Sequence, residues 1–87
     1  MIDNDDRHRF EAEENGKLVF ANYREQDGHF LLTHVEADPA LRGTGAAARL
    51  MEAIVAHARE HDLKLLPRCS YAVAWFQRHP EANDVVG

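Results

Sequence analysis

The sequence is poor in most of the features that would give a protein away at once. Its 87 residues include a single cysteine, Cys69, so no internal disulfide can form. That suits a reducing compartment. No apolar run reaches membrane-spanning length. The opening, MIDNDDRHRF, lacks the apolar core of a signal peptide, and a cytoplasmic protein is expected. Basic residues are the minority, 10 against 15 acidic, for a formal charge of −5. A broad nucleic-acid-binding surface is excluded on that balance, which leaves room only for a local basic cluster facing a small anion. There is no repeat, low-complexity tract or linker, so one small domain over residues 1–87 is expected. Apolar residues at 45% supply an ordinary globular core.

What is present is a clear succession of elements. Residues 1–7 are polar and acidic and are expected to be loose. In 8–14, HRFEAEE, Phe10 and Ala12 face one way while Arg9, Glu11 and Glu13 face the other. Asn15-Gly16 follows, a two-residue hairpin turn whose residues both tolerate positive φ. The returning strand is KLVFANYRE (17–25). Asp27-Gly28 marks a second turn, and HFLLTHVEA (29–37) is apolar enough for an interior strand. After Pro39, a helix carries Ala46, Ala47, Leu50, Met51, Ile54, Val55 and Ala58 on one stripe. Arg49, Glu52, His57, Arg59 and Glu60 take the other face, and His61-Asp62 ends it. LKLLP (63–67) reads as a short buried strand. SYAVAWFQRH (70–79) reads as a second helix stopped at Pro80. EANDVVG is a tail with weak signals. The order is β-β-β-α-β-α: an antiparallel meander followed by a parallel βαβ crossover. Ligands of such α/β units bind beyond the carboxyl ends of the strands, near the helix start.

PALRGTGAAARL (39–50) occupies that place. Arg42-Gly43-Thr44-Gly45-Ala46-Ala47 sets a cation and unobstructed N–H groups at a helix N-terminus, an arrangement that favours phosphate or pyrophosphate. No Gly-Lys-Ser/Thr follows, so it is not a Walker loop. The third glycine of the dinucleotide fingerprint is missing as well. The plain alternative is a glycine-rich helix cap with a surface arginine.

Arg42-x-x-Gly45-x-Ala47 resembles the coenzyme A pyrophosphate loop, R/Q-x-x-G-x-G/A, of the GNAT superfamily of N-acetyltransferases. THVEADPALRG and LLPRCSYAVAWFQRHPE resemble a short, single-domain branch of it. There a His-x-Glu strand end precedes the loop and a Pro-x-Cys-x-Tyr stretch precedes the last helix. The resemblance covers residues 8–81. It implies a minimal GNAT-like α/β fold and acetyl-coenzyme A as co-substrate, without a metal. The backbone of Val35, Glu36 and Ala37 would lie along the pantetheine arm. The N–H groups of Gly43, Thr44, Gly45, Ala46 and Ala47 would hold the pyrophosphate, with Arg42 shaping the loop. The strand after the long helix would splay from its neighbour and leave a slot for the thioester. Larger members place two helices between their first two strands and add strands after the last helix. Neither addition is legible here, so the resemblance identifies no acceptor.

Acetyl transfer to an amine needs a base, because a free aliphatic amine has a pKa of about 10. His34 and Glu36 sit two apart on one strand and are candidates, against a solvated strand-end pair. Cys69 lies beside Arg68 at a helix start, where dipole and cation lower a thiol pKa. It is a candidate acetyl carrier, against a small apolar filler. The position where larger members place an acidic tyrosine falls by spacing on Phe76, which has no proton to give; Tyr71 and Cys69 are the substitutes. His57 and His61 stand at i and i+4, a zinc-like spacing without a third ligand, and no metal site is expected. Trp75 and Phe76 read as core or subunit contacts. Arg68, Arg78 and His79 are candidates for the adenosine phosphate, or ordinary surface charge. The reading is therefore an acetyl-CoA-dependent N-acetyltransferase with an unidentified amine acceptor, without nucleic acid or membrane. Two competitors stand beside it: a non-catalytic CoA or acyl-CoA-binding module, and a small structural, partner-binding domain.

Overall fold

The computed structural model describes residues 1–87. Its elements are β1 (Ile2–Asn4), β2 (Arg9–Glu14), β3 (Lys17–Gln26), β4 (His29–Ala37), α1 (Ala46–His61), β5 (Lys64–Pro67) and α2 (Ser70–Arg78). Short 3-10 turns cover Asp5–Arg7, Pro39–Leu41 and Pro80–Val85. The strands form one sheet in the order β1-β2-β3-β4-β5. All neighbours are antiparallel except β4 and β5, which are parallel. This is the expected meander and crossover, with one strand added in front.

Both tight hairpins form as the turn chemistry dictates. Asn15 and Gly16 take φ of 51° and 74°, and Asp27 and Gly28 take 52° and 77°. Positive φ at both central residues matches the twist of the flanking strands. Glu14 then pairs with Lys17, and Gln26 with His29.

Every fully buried sheet residue lies on one face: Phe10, Val19, Ala21, Tyr23, Leu32 and Leu65. Leu50, Met51, Ile54 and Val55 of α1 pack there, joined by Trp75 and Phe76 of α2. Both helices share this face because the chain keeps stepping the same way. β4-α1-β5 is one parallel crossover, and beyond α2 Val86 bridges Leu65 in parallel. Successive right-handed crossovers in one direction put their helices on one side. The other face carries Leu18, Phe20, Leu31 and Leu66 with polar neighbours, none of them fully buried.

Two expectations are corrected, and the tail, which carried only weak signals in the sequence, takes a definite place. Residues 1–7 are not loose. Ile2–Asn4 pairs with Arg9–Glu11 in register, and the Tyr23 hydroxyl reaches Asp3 at 2.6 Å and Asp5 at 3.0 Å. An acidic, polar segment is held here by its ladder to β2 and by one phenol from β3. The tail is ordered too: Ala82 and Val85 are buried, and the Gly87 N–H donates to Leu65 O at 3.0 Å. His57 is half-buried rather than on a solvent face, its ring 5.6 Å from that of Phe10.

Candidate active site

The site begins with an irregularity in β4. Asn22 pairs with His34 but Tyr23 pairs with Leu32, so Thr33 is an extra residue, a β-bulge. A bulge breaks the alternation of faces. Leu32 faces the helices, and so do Val35 and Ala37, which pair with Ala21 and Val19. His34 and Glu36 turn outward onto the helix-free face, opposite Asn22 and Phe20. They do share a face, as their spacing suggested. Which face they share is set by Thr33.

The same strand outlives its neighbour. β5 pairs with β4 only from His29 to Leu32, and the last link is the Arg68 N–H to Leu32 O at 2.9 Å. Past that point β4 runs on to Ala37 with β3 alone. The Asp38 N–H donates to Leu18 O at 2.9 Å, which fixes the phase of the ladder. Antiparallel alternation then turns the N–H and C=O groups of Val35 and Ala37 away from β3, onto the side β5 has left. The splay therefore has a wall of unpaired backbone, an unstable condition for a dry site and a suitable one for an amide-bearing chain.

Beside this gap lies the glycine turn. Gly43 and Gly45 take φ of 79° and 85°. Such angles strain any residue with a Cβ. The turn leaves the N–H groups of Gly43, Gly45, Ala46, Ala47 and Ala48 without an acceptor in the chain. Thr44 departs from expectation. Its N–H is spent on Leu41 O at 3.1 Å and its hydroxyl on the same oxygen at 2.5 Å, because the Pro39–Leu41 turn closes over it. Ala48 is the donor that sequence reasoning missed. A helix leaves its first four N–H groups open, which was the signal available for it. Arg42 is exposed and extended, at φ −63° and ψ 137°.

Ala37, Leu41, Arg42, Gly43, Gly45, Ala46, Ala47 and Ala48 line one cavity of about 270 Å³, and Tyr71 of α2 closes it. Burial, opposed by the charge of Arg78, raises the Tyr71 phenol above its ordinary pKa, so it keeps its proton at neutral pH. Cys69 is half-buried at the N-cap of α2, where its Sγ accepts the Ala72 N–H at 3.4 Å. On the far face, His34 Nε2 lies 3.0 Å from Glu36 Oε1, both side chains about half exposed. No hydrogen bond joins this pair to Cys69 or Tyr71. The splay separates a donor-like turn on the helical face from an imidazole-carboxylate pair on the bare face.

The remaining candidates fall elsewhere. Phe76 is 6% exposed and packs edge-on to Trp75, away from the turn. Arg68 lines a separate cavity with Gln26, Asp27, His29, Leu31 and Leu66. His79 stacks on Trp75 and its Nδ1 lies 2.7 Å from Trp75 O. His57 and His61 approach to 4.3 Å between ring centres, yet no group of three or more metal-ligating side chains gathers there or elsewhere. No helix is long and apolar enough to cross a membrane.

Comparison with known proteins agrees with this fold. A GCN5-like N-acetyltransferase candidate from Staphylococcus aureus, solved by NMR, superposes with a TM-score of 0.63. The two are 22% identical, over 92% of this chain and 89% of that one. At that identity the likeness is one of fold. The family model for GCN5-related N-acetyltransferases matches residues 9–85, which takes in the turn, the splay and α2. A model that spans the sheet and both helices carries more than any single motif, and this chain belongs to the GCN5-related N-acetyltransferase family.

Proposed function

We propose that the protein moves acetyl from acetyl-CoA to an amine, with the donor on the helical face and the acceptor arriving from the bare face. The observation that carries this is the cluster of uncommitted N–H groups at Gly43, Gly45, Ala46, Ala47 and Ala48 beside Arg42, opening on the splay. Donors at a helix start suit a pyrophosphate. The free backbone of Val35 and Ala37 suits the amide groups of a pantetheine arm.

In this reading the amine nitrogen attacks the thioester carbonyl and the C–S bond breaks. His34 takes the amine proton. Glu36 accepts from Nε2, which leaves Nδ1 as the basic nitrogen. Tyr71, kept protonated by burial, supplies a proton to the departing thiolate. A second reading is favoured by the place of Cys69 at the N-cap of α2, half-buried with its Sγ against the Ala72 N–H. There Cys69 attacks first and forms an S-acetyl group, the coenzyme A thiolate leaves, and the amine then attacks the acetyl-cysteine.

A native mass spectrum with acetyl-CoA, followed by denaturation of the same sample, tests both. A bound complex without covalent acetyl supports direct transfer. Acetyl retained on Cys69 supports the carrier. Binding without transfer to any of a panel of amines and peptides would mean a CoA-binding module. No complex well above micromolar acetyl-CoA would leave the glycine turn a helix cap.

A further inference from the structure

A second cation stands over the glycine turn. Arg49 lies one turn into α1, its N–H bonded to Gly45 O at 3.0 Å. Side chains on a helix lean toward its N-terminus, so the guanidinium returns over Gly45. Glu14, at the shoulder of the first hairpin, accepts from Nε at 2.9 Å and from Nη2 at 2.7 Å. This two-point grip fixes the plane of the guanidinium. It leaves Nη1 as the one guanidinium nitrogen with no acceptor. Nη1 lies 3.1 Å from the point where a Cβ on Gly45 would stand, against the turn itself. The pairing lowers the Glu14 pKa and raises that of Arg49, so both stay ionised at neutral pH. Arg59 supplies the contrast. It is gripped the same way by Asp84, at 2.8 Å from both nitrogens, but its Nη2 also serves Glu81 O and it sits at the far end of α1.

We propose that Arg49 is a further phosphate ligand of the turn, donating from Nη1, and that Glu14 is its positioning residue. The inference rests on the donor-site reading above and extends it to a side chain outside the Arg42–Ala47 motif. It also assigns a second reason for glycine at 45: the guanidinium needs the room. A lysine at 49 would supply charge without a fork for Glu14 to orient.

Calorimetric titration of the full chain with coenzyme A, and separately with inorganic pyrophosphate, tests it. If the unmodified protein binds neither probe, the donor-site reading itself fails. If it binds, Arg49→Gln is expected to weaken both probes about tenfold, the loss of one charge-assisted hydrogen bond. Arg59→Gln removes an equal charge and is expected to stay within about twofold. Arg49→Gln within about twofold of the unmodified protein overturns the proposal. Should that variant fail to fold, Arg49→Lys carries the test, with about threefold weaker binding expected and unchanged binding overturning the fork. Glu14→Gln is expected to cost about threefold alone and nothing on top of Arg49→Gln. An equal cost in both backgrounds overturns its positioning role.

Discussion

Gly43→Ala and Gly45→Ala form a matched pair that isolates one contact. Both positions have φ near 80°, at 79° and 85°. A Cβ costs about 1–2 kcal/mol in that region. For a domain this small, each kcal/mol lowers the melting point by about 4–8 °C. Strain alone therefore predicts similar thermal losses for the two variants. Their surroundings differ. A Cβ at 43 meets nothing within 4 Å, whereas one at 45 stands 3.1 Å from Arg49 Nη1. The guanidinium must shift by a few tenths of an ångström, which loosens its alignment with Glu14. Calorimetric unfolding should thus give comparable melting points, while coenzyme A titration separates the pair: about twofold weaker binding for Gly43→Ala and about tenfold for Gly45→Ala. Equal affinities would refute the role given to the Arg49 contact. If neither variant lost stability, the left-handed geometry of the turn would be wrong.

Other consequences can be checked separately. His34→Ala should lower kcat about a hundredfold while leaving coenzyme A affinity unchanged, as removal of a general base does; an unchanged kcat would take the His34–Glu36 pair out of the reaction. Cys69→Ser keeps an N-cap acceptor for the Ala72 N–H and should retain both fold and turnover under direct transfer, whereas Cys69→Ala should cost about 1 kcal/mol of stability through the lost cap. Loss of turnover in Cys69→Ser with donor binding intact would favour the cysteine carrier. Burial, aided by the bonds to Asp3 and Asp5, raises the Tyr23 phenol above its ordinary pKa. Its folded form holds the proton more tightly than the unfolded chain, so its stabilisation is complete below about pH 10 and is lost as pH rises through the folded value. Urea midpoints should fall above that pH, the fall should shrink in Tyr23→Phe, and the same variant should release the Arg7 and His8 amides to faster hydrogen exchange.

The local chemistry of the chain was readable without coordinates. Asn15-Gly16 and Asp27-Gly28 carry positive φ whatever surrounds them, so the hairpins follow from the residues themselves. The stripe Leu50, Met51, Ile54, Val55 and Ala58 declares both the helix and its buried side. The glycines of the turn and the open N–H groups after them follow from what a helix start must leave unpaired.

Facing and pairing were another matter. Nothing in HFLLTHVEA says that Thr33 is the extra residue, because a bulge exists only against a partner strand. That single residue decides whether His34 and Glu36 meet the core or the open face. The gap beyond Leu32, the anchoring of the first strand by Tyr23 and the contact of His57 with Phe10 likewise depend on residues far apart in the chain. Turn propensity and helical period arise from neighbours a few positions away, and the sequence alone determined them. Register, face and the opening between β4 and β5 arise from contacts between distant segments, and only the assembled sheet could decide them.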